Sequence, residues 1–234
     1  MARGSWQRWH GGVRWFAAEF VVVVAGILVA FAINSAYESS KDRERETGYL
    51  RHLIADLHQT ERLLGAAEAP NAAWDGSLDA FVASYRASSI PAPETVRRWI
   101  ADIQYDNPVP VLGTAEALVQ TGDLQLIEDL ALRSAITTYL SRTREYTIPW
   151  LLTVENDFLE ARTGFRTHVD VLESEKGDSP YPLDVARLLE NREAYFLLSR
   201  MLLAKRELAV VRQAFRDDAR AVRTQLAAAA GEVE

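Results

Sequence analysis

Along the chain, apolar positions first run together and then space out. Residues 15–33 read Trp-Phe-Ala-Ala-Glu-Phe-Val-Val-Val-Val-Ala-Gly-Ile-Leu-Val-Ala-Phe-Ala-Ile, 19 residues with one charge, Glu19. At 1.5 Å per residue such a helix spans roughly the ~30 Å hydrocarbon core of a bilayer. From Asn34 onward polar residues return, and the apolar ones recur every three or four positions: Tyr49/Leu50, Leu53/Ile54, Leu57, Leu63/Leu64. This spacing predicts an amphipathic helix that continues from the apolar run, without a break, to about Gly65.

Proline and glycine punctuate the rest. Pro70-Asn71 opens a second helix bearing Trp74, Leu78, Phe81, Val82 and Tyr85, and the loop after it runs to Pro93, a proline suited to the first position of a third helix. Asp106 to Pro110 reads as extended, because each residue before a proline is pushed out of the helical region. Thr114 is the expected cap of a short helix that Gly122 ends. A long pattern then runs from Asp123 to about His168. Pro149 lies inside it and should kink or break it, having no N–H for the carbonyl of residue 145.

Residues 173–182 form a polar loop, and the last helix runs from near Asn191 to Ala230. Its Met201, Leu208, Phe215 and Val222 fall seven apart, a stripe expected to pack on Leu50, Leu53, Leu57 and Leu64. Its arginines, Arg206, Arg212, Arg216, Arg220 and Arg223, suit water or an acidic neighbour. No stretch alternates with period two. The fold class read from this pattern is all-α: a single N-terminal transmembrane helix continuing into an antiparallel helical bundle. The divisions are a basic, Trp-rich interfacial tail (1–14), the transmembrane helix (15–34) and an extramembrane helical domain (35–234).

Two other readings compete for the apolar run. A buried core helix has neither this length nor this Arg- and Trp-rich flank. A cleaved signal peptide finds a small-x-small site in Ala30-Phe31-Ala32, but Glu19 interrupts its apolar region and helical sequence continues past Asn34. Trp6, Trp9, Arg14 and Trp15 are the candidate interfacial anchors. Gly26 and Ala30 share a face with Glu19, and small residues so placed admit a neighbouring membrane helix. Glu19 itself lies about one turn inside, within reach of the interface or of an arginine.

Net charge is −7, unevenly placed: Arg3, Arg8 and Arg14 make the first 14 residues +3, leaving −10 for the remainder. An acidic body without a basic stripe argues against nucleic acid as a partner. Lysine and arginine near the two ends of the apolar run are balanced, Arg3, Arg8 and Arg14 against Lys41, Arg43, Arg45 and Arg51. The upstream flank is purely positive while Glu38, Asp42, Glu44 and Glu46 dilute the downstream one, so the expectation leans to the N-terminus inside and the domain outside, cytoplasmic and periplasmic respectively in a bacterial inner membrane.

Candidate chemistry is thin. There is no cysteine, which excludes disulfides and thiolate chemistry. His52 and Asp56 have a chelating spacing on one helix face, but His58 points elsewhere, and solvated polar side chains on the helix surface are the better reading. Residues 15–33 hold no histidine to ligate haem or chlorophyll from within the membrane, and neither a Gly-x-Ser-x-Gly elbow nor a phosphate loop occurs. No cofactor, metal site or catalytic residue is expected.

Two blocks carry a family likeness: Glu19-Phe20-Val21-Val22-Val23-Val24-Ala25-Gly26-Ile27-Leu28-Val29-Ala30 with Ile33-Asn34, and Leu118-Val119-Gln120-Thr121-Gly122-Asp123-Leu124 with Leu132, Ile136 and Tyr139. Together they resemble a family of uncharacterised bacterial single-pass membrane proteins with such a membrane helix and a helical domain. A narrower similarity, to an accessory subunit of a bacterial photosynthetic reaction-centre–antenna complex, rests on no diagnostic residue. The resemblance implies no catalytic residues. The function expected is a membrane-anchored interaction or scaffold subunit that stabilises a larger membrane protein complex through its transmembrane helix and helical domain. The alternative is an extracytoplasmic ligand-sensing domain.

Overall fold

The computed structural model describes residues 6–169 and 182–231; for residues 6–14 and 16–18 it describes the backbone alone. Every regular element among these residues is helical. Contacts divide the chain into two units, Met1–Tyr49 and Leu50–Glu234.

Helix α1, Trp6–Ala66, supplies the first unit and opens the second. In the first unit every residue from Glu19 to Ile33 is exposed except half-buried Val24. This stretch is long and apolar enough to cross a membrane. The expected continuity past Asn34 is observed, and Asn34 bonds Glu38 one turn on at 3.0 Å.

In the second unit, α1 presents Leu50, Leu53, Leu57 and Leu64 inward, each at most 7% exposed. It ends at Ala66 because Pro70 has no N–H for the Ala66 carbonyl. Helix α2, Glu68–Ser84, therefore begins two residues earlier than its proline suggests, with Pro70 in the first turn where no donor is required. Helix α3, Pro93–Ala101, starts at its proline as expected. Residues 103–112 carry no regular structure, as the Pro108/Pro110 spacing predicts.

Helix α4, Gly113–Thr121, ends at Gly122 with φ +79°, a left-handed position that glycine takes without a Cβ penalty. Its start corrects the sequence reading: Thr114 makes no capping bond, and its N–H is instead taken by Asp56 Oδ2 of α1 at 3.0 Å. The next helix also begins later than expected. Asp123–Leu126 is a 3₁₀ turn, and α5, Leu130–Arg142, starts where Asp129 accepts from the N–H groups of Ala131 and Leu132.

A π turn, Thr143–Thr147, separates α5 from α6, Ile148–Phe165, and Pro149 sits in the first turn of α6. The break falls where the missing proline N–H leaves the carbonyl of Glu145 without its donor. Ile148 N–H reaches back five residues to Thr143, and Thr147 Oγ1 donates to the Arg142 carbonyl at 3.2 Å. Much of the polar loop expected at 173–182 lies outside the described residues. A short helix the periodicity missed, α7, Val185–Glu190, precedes α8, Arg192–Ala230, which begins near Asn191 as anticipated, with Asn191 as its N-cap.

The main core joins α2, α3, α6, α7 and α8. Phe81 meets Phe165 edge-on at 5.8 Å, and Tyr105 meets Phe158 at 5.1 Å. Burying each such ring is worth about 1.5–3 kcal/mol. Helix α8 lies chiefly along α6 and runs opposite to it: Leu197 lies against Gly164, while Arg200 pairs with Asp157 and Glu160 earlier in α6. The expected packing of the last helix on the first is therefore corrected in part. Met201 and Leu208 are fully buried, but in the core with α2 and α6, and Phe215 stacks on Tyr139 of α5 at 6.0 Å. Only the end of the stripe keeps the expected neighbours, Val222 and Leu226 sharing a cavity of about 10 Å³ with Leu53 and Leu57.

Candidate functional site

The polar chemistry of the second unit converges on the irregular segment 102–112. Pro108 and Pro110 deny it donors, so its backbone is held by side chains. Asn71, 2% exposed, donates to the Asp106 carbonyl at 2.7 Å and accepts from its N–H at 3.2 Å. Thr60, fully buried, accepts from Val111 N–H at 3.0 Å. Glu155 of α6 takes the Tyr105 hydroxyl at 2.6 Å and the Asn107 amide at 3.3 Å. Lys205 of α8 donates to the Gln104 carbonyl.

Lys205 is the most closed-off charge here. Its side chain is 2% exposed, 2.8 Å from Asp75, with the Trp74 and Phe158 rings 5.5 and 6.0 Å away. Burial lowers its pKa below the ordinary lysine value, while Asp75 pulls the other way. A neutralisable lysine is the raw material of a nucleophile or base. Here its contacts are taken up by Asp75, a carbonyl and two ring faces, which makes it a clamp on the segment. Arg212, 7% exposed and likewise lowered by burial, feels Asp75, Asp106 and Glu68.

Asp75 belongs to a charged seam. Glu61, Glu68 and Asp75 fall seven apart on α1 and α2. Against them stand Arg223 at 2.6 Å with Arg220 at 3.5 Å, then Arg216, then Lys205; Asp79 adds Arg206 at 2.7 Å. The acidic neighbour expected for the arginines of the last helix is thus the first two helices. Arg212 also faces the acidic side, feeling Asp75 and Glu68, but from a buried position.

An open groove of about 500 Å³ lies where the π turn faces α8. Tyr146, Trp150, Val210, Val211, Ala214 and Phe215 line it, with the Arg142–Asp218 pair, 3.1 Å, at its rim. Trp150 is 54% and Val210 70% exposed.

The structure places the residues singled out from sequence in two groups. Glu19, Gly26 and Ala30 are exposed on α1, and a Cβ on Gly26 would meet nothing within 4 Å. Trp15 is 69% exposed, while the side chains of Trp6, Trp9 and Arg14 lie outside the described residues. Of the histidine–aspartate pair, His52 is exposed and Asp56 is spent on α4, and among the described residues no metal-binding group occurs. Sequence reasoning missed Thr60, Asn71 and Lys205. The available signal was an extended, proline-rich segment whose backbone must find partners. No family model, curated protein or solved structure matches the chain.

Proposed function

We propose that this chain is a membrane-anchored, non-catalytic interaction subunit: a single transmembrane helix tethers an antiparallel helical bundle that stabilises a larger membrane protein complex. The observation that carries the reading is the exposure of α1 from Glu19 to Ile33. A helix apolar all round is stable only where lipid or another membrane helix surrounds it. Trp15 and the N-terminal arginines support a start at the interface, and the proposed orientation has the N-terminus cytoplasmic and the bundle periplasmic. In the bundle, the most buried polar groups bind other parts of the same unit, which suits a docking body better than a reaction centre.

Extraction from native membranes tests this. The chain should resist alkaline carbonate, and in mild detergent it should copurify with a stoichiometric membrane partner. Release by carbonate would overturn the anchor; recovery as a lone monodisperse chain would overturn the subunit role. The second reading, ligand sensing, is favoured by the groove at Trp150, whose size is that of a small-molecule site.

A further inference from the structure

The groove between the π turn and α8 combines an apolar lining with an open cationic rim. Nine described residues line it, against about 20–30 a side in a stable protein interface, so its scale is that of one small molecule. Tyr146 and Trp150, 70% and 54% exposed and four residues apart, supply aromatic rings from one side. Val210, Val211 and Ala214 line it from α8, together with buried Phe215. Such a lining suits a flat apolar body, which stacks offset or packs edge-on against the rings. The rim supplies a polar end. The Arg142 side chain is 62% exposed and reaches Asp218 through Nη1, at 3.2 Å to Oδ1 and 3.1 Å to Oδ2. Its Nε and Nη2 groups make no hydrogen bond among the described residues. A guanidinium holds a carboxylate best through two parallel N–H groups, and that edge of Arg142 is open.

We infer that the groove binds a small aromatic carboxylate, its ring among Tyr146, Trp150 and Val210 and its carboxylate on the free edge of Arg142. Charge complementarity selects this head group. A cationic ligand would have to take Asp218, both of whose oxygens already face Arg142 Nη1, and so break the pair. An anion on the free edge leaves the pair intact. The Thr147 hydroxyl does not compete for that edge, because it donates to the Arg142 carbonyl at 3.2 Å. A neutral head group reaches the same edge but forgoes the charge-assisted bond.

The assignment names a ligand class for the sensing reading and rests on it, and one titration tells their failures apart. The full chain, carrying 5-fluorotryptophan in lipid nanodiscs, is titrated at neutral pH with phenylacetate, phenylacetamide and phenethylamine. These probes share a ring and differ in head group. The Trp150 fluorine signal, assigned by its loss in Trp150→Phe, should shift with phenylacetate at a dissociation constant of about 1 mM. The amide and the amine should bind about tenfold more weakly. Arg142→Gln should erase the preference, and Ala214→Trp should fill the groove and abolish binding. Asp218→Asn should keep or tighten phenylacetate binding, since it frees Arg142; loss of binding there would overturn the inference. Equal binding of the three probes, or tightest binding of the amine, would overturn the carboxylate assignment and leave the sensing reading standing. No shift from any probe up to about 10 mM would overturn both.

Discussion

The Lys205 ammonium lies 2.8 Å from the Asp75 carboxylate with only 2% of the lysine side chain exposed. The pair joins α8 to α2, and through the Gln104 carbonyl it also holds the irregular segment. Removing one partner leaves a buried charge uncompensated, at about 3–5 kcal/mol; replacing both by apolar groups is often neutral. Asp75→Ala should therefore lower the melting temperature sharply, whereas the double variant Asp75→Leu, Lys205→Met should recover most of the loss. A double variant no better than the single would show that the pair itself is required.

Lys205 also fixes a pH dependence. Burial lowers its native-state pKa below the 10.5 of an exposed lysine. Between those values the unfolded chain holds a proton that the native protein has released, so stability rises with pH in that window. Tyr85 opposes this above pH 10. Burial pushes it up to about 12, so stability it confers below the ordinary tyrosine value is lost as pH rises toward that point. Denaturant melts as pH rises toward 10 should show increasing stability, an increase that Lys205→Met removes.

Phe215 and Arg216 are adjacent but face different partners. Phe215, 5% exposed, stacks on Tyr139, while Arg216 pairs with Glu68, whose side chain is 51% exposed. Phe215→Ala should cost about 3–5 kcal/mol by opening a cavity, and Arg216→Ala about 1 kcal/mol or less. Thermal melts of the two variants check the ranking, and equal effects would mean the aromatic stack contributes no core.

The start of α4 gives a sharper contrast. Asp56→Ala removes the carboxylate that accepts from Thr114 N–H and should cost about 1 kcal/mol, while Thr114→Ala should cost little, since its side chain makes no cap. A larger loss from Thr114→Ala would restore the local cap read from sequence.

Gly122→Ala tests the turn that follows. With φ at +79° and nothing within 4 Å of a Cβ, the penalty is purely conformational, about 1 kcal/mol. Denaturant midpoints should shift accordingly, and an unchanged midpoint would show that the turn relaxes.

Sequence by itself determined what local chemistry decides. An apolar run of 19 residues is too long for a strand, so helical α1 and its continuation past Asn34 were legible. Pro93, Gly122 and Asn191 set helix ends through a missing donor, a positive φ and a short capping side chain. Pro149 marked the interruption before α6 for the same covalent reason, and the Glu19, Gly26, Ala30 face follows from helical periodicity.

Tertiary structure alone decided which stripe meets which. The heptad series Met201, Leu208, Phe215, Val222 announces a buried face but carries no address, because hydrophobic burial is non-directional. Packing sent its first half to α2 and α6, Phe215 to Tyr139, and only its end toward α1. The same holds for polar residues. Nothing local marks Thr60 and Asn71 as partners until the irregular segment, lacking donors at Pro108 and Pro110, folds across them and takes their hydrogen bonds, and Asp56 finds its partner only at the start of α4. The burial of Lys205 is likewise decided by Asp75 and two aromatic rings that close over it, since burial of a charge depends on partners remote in sequence.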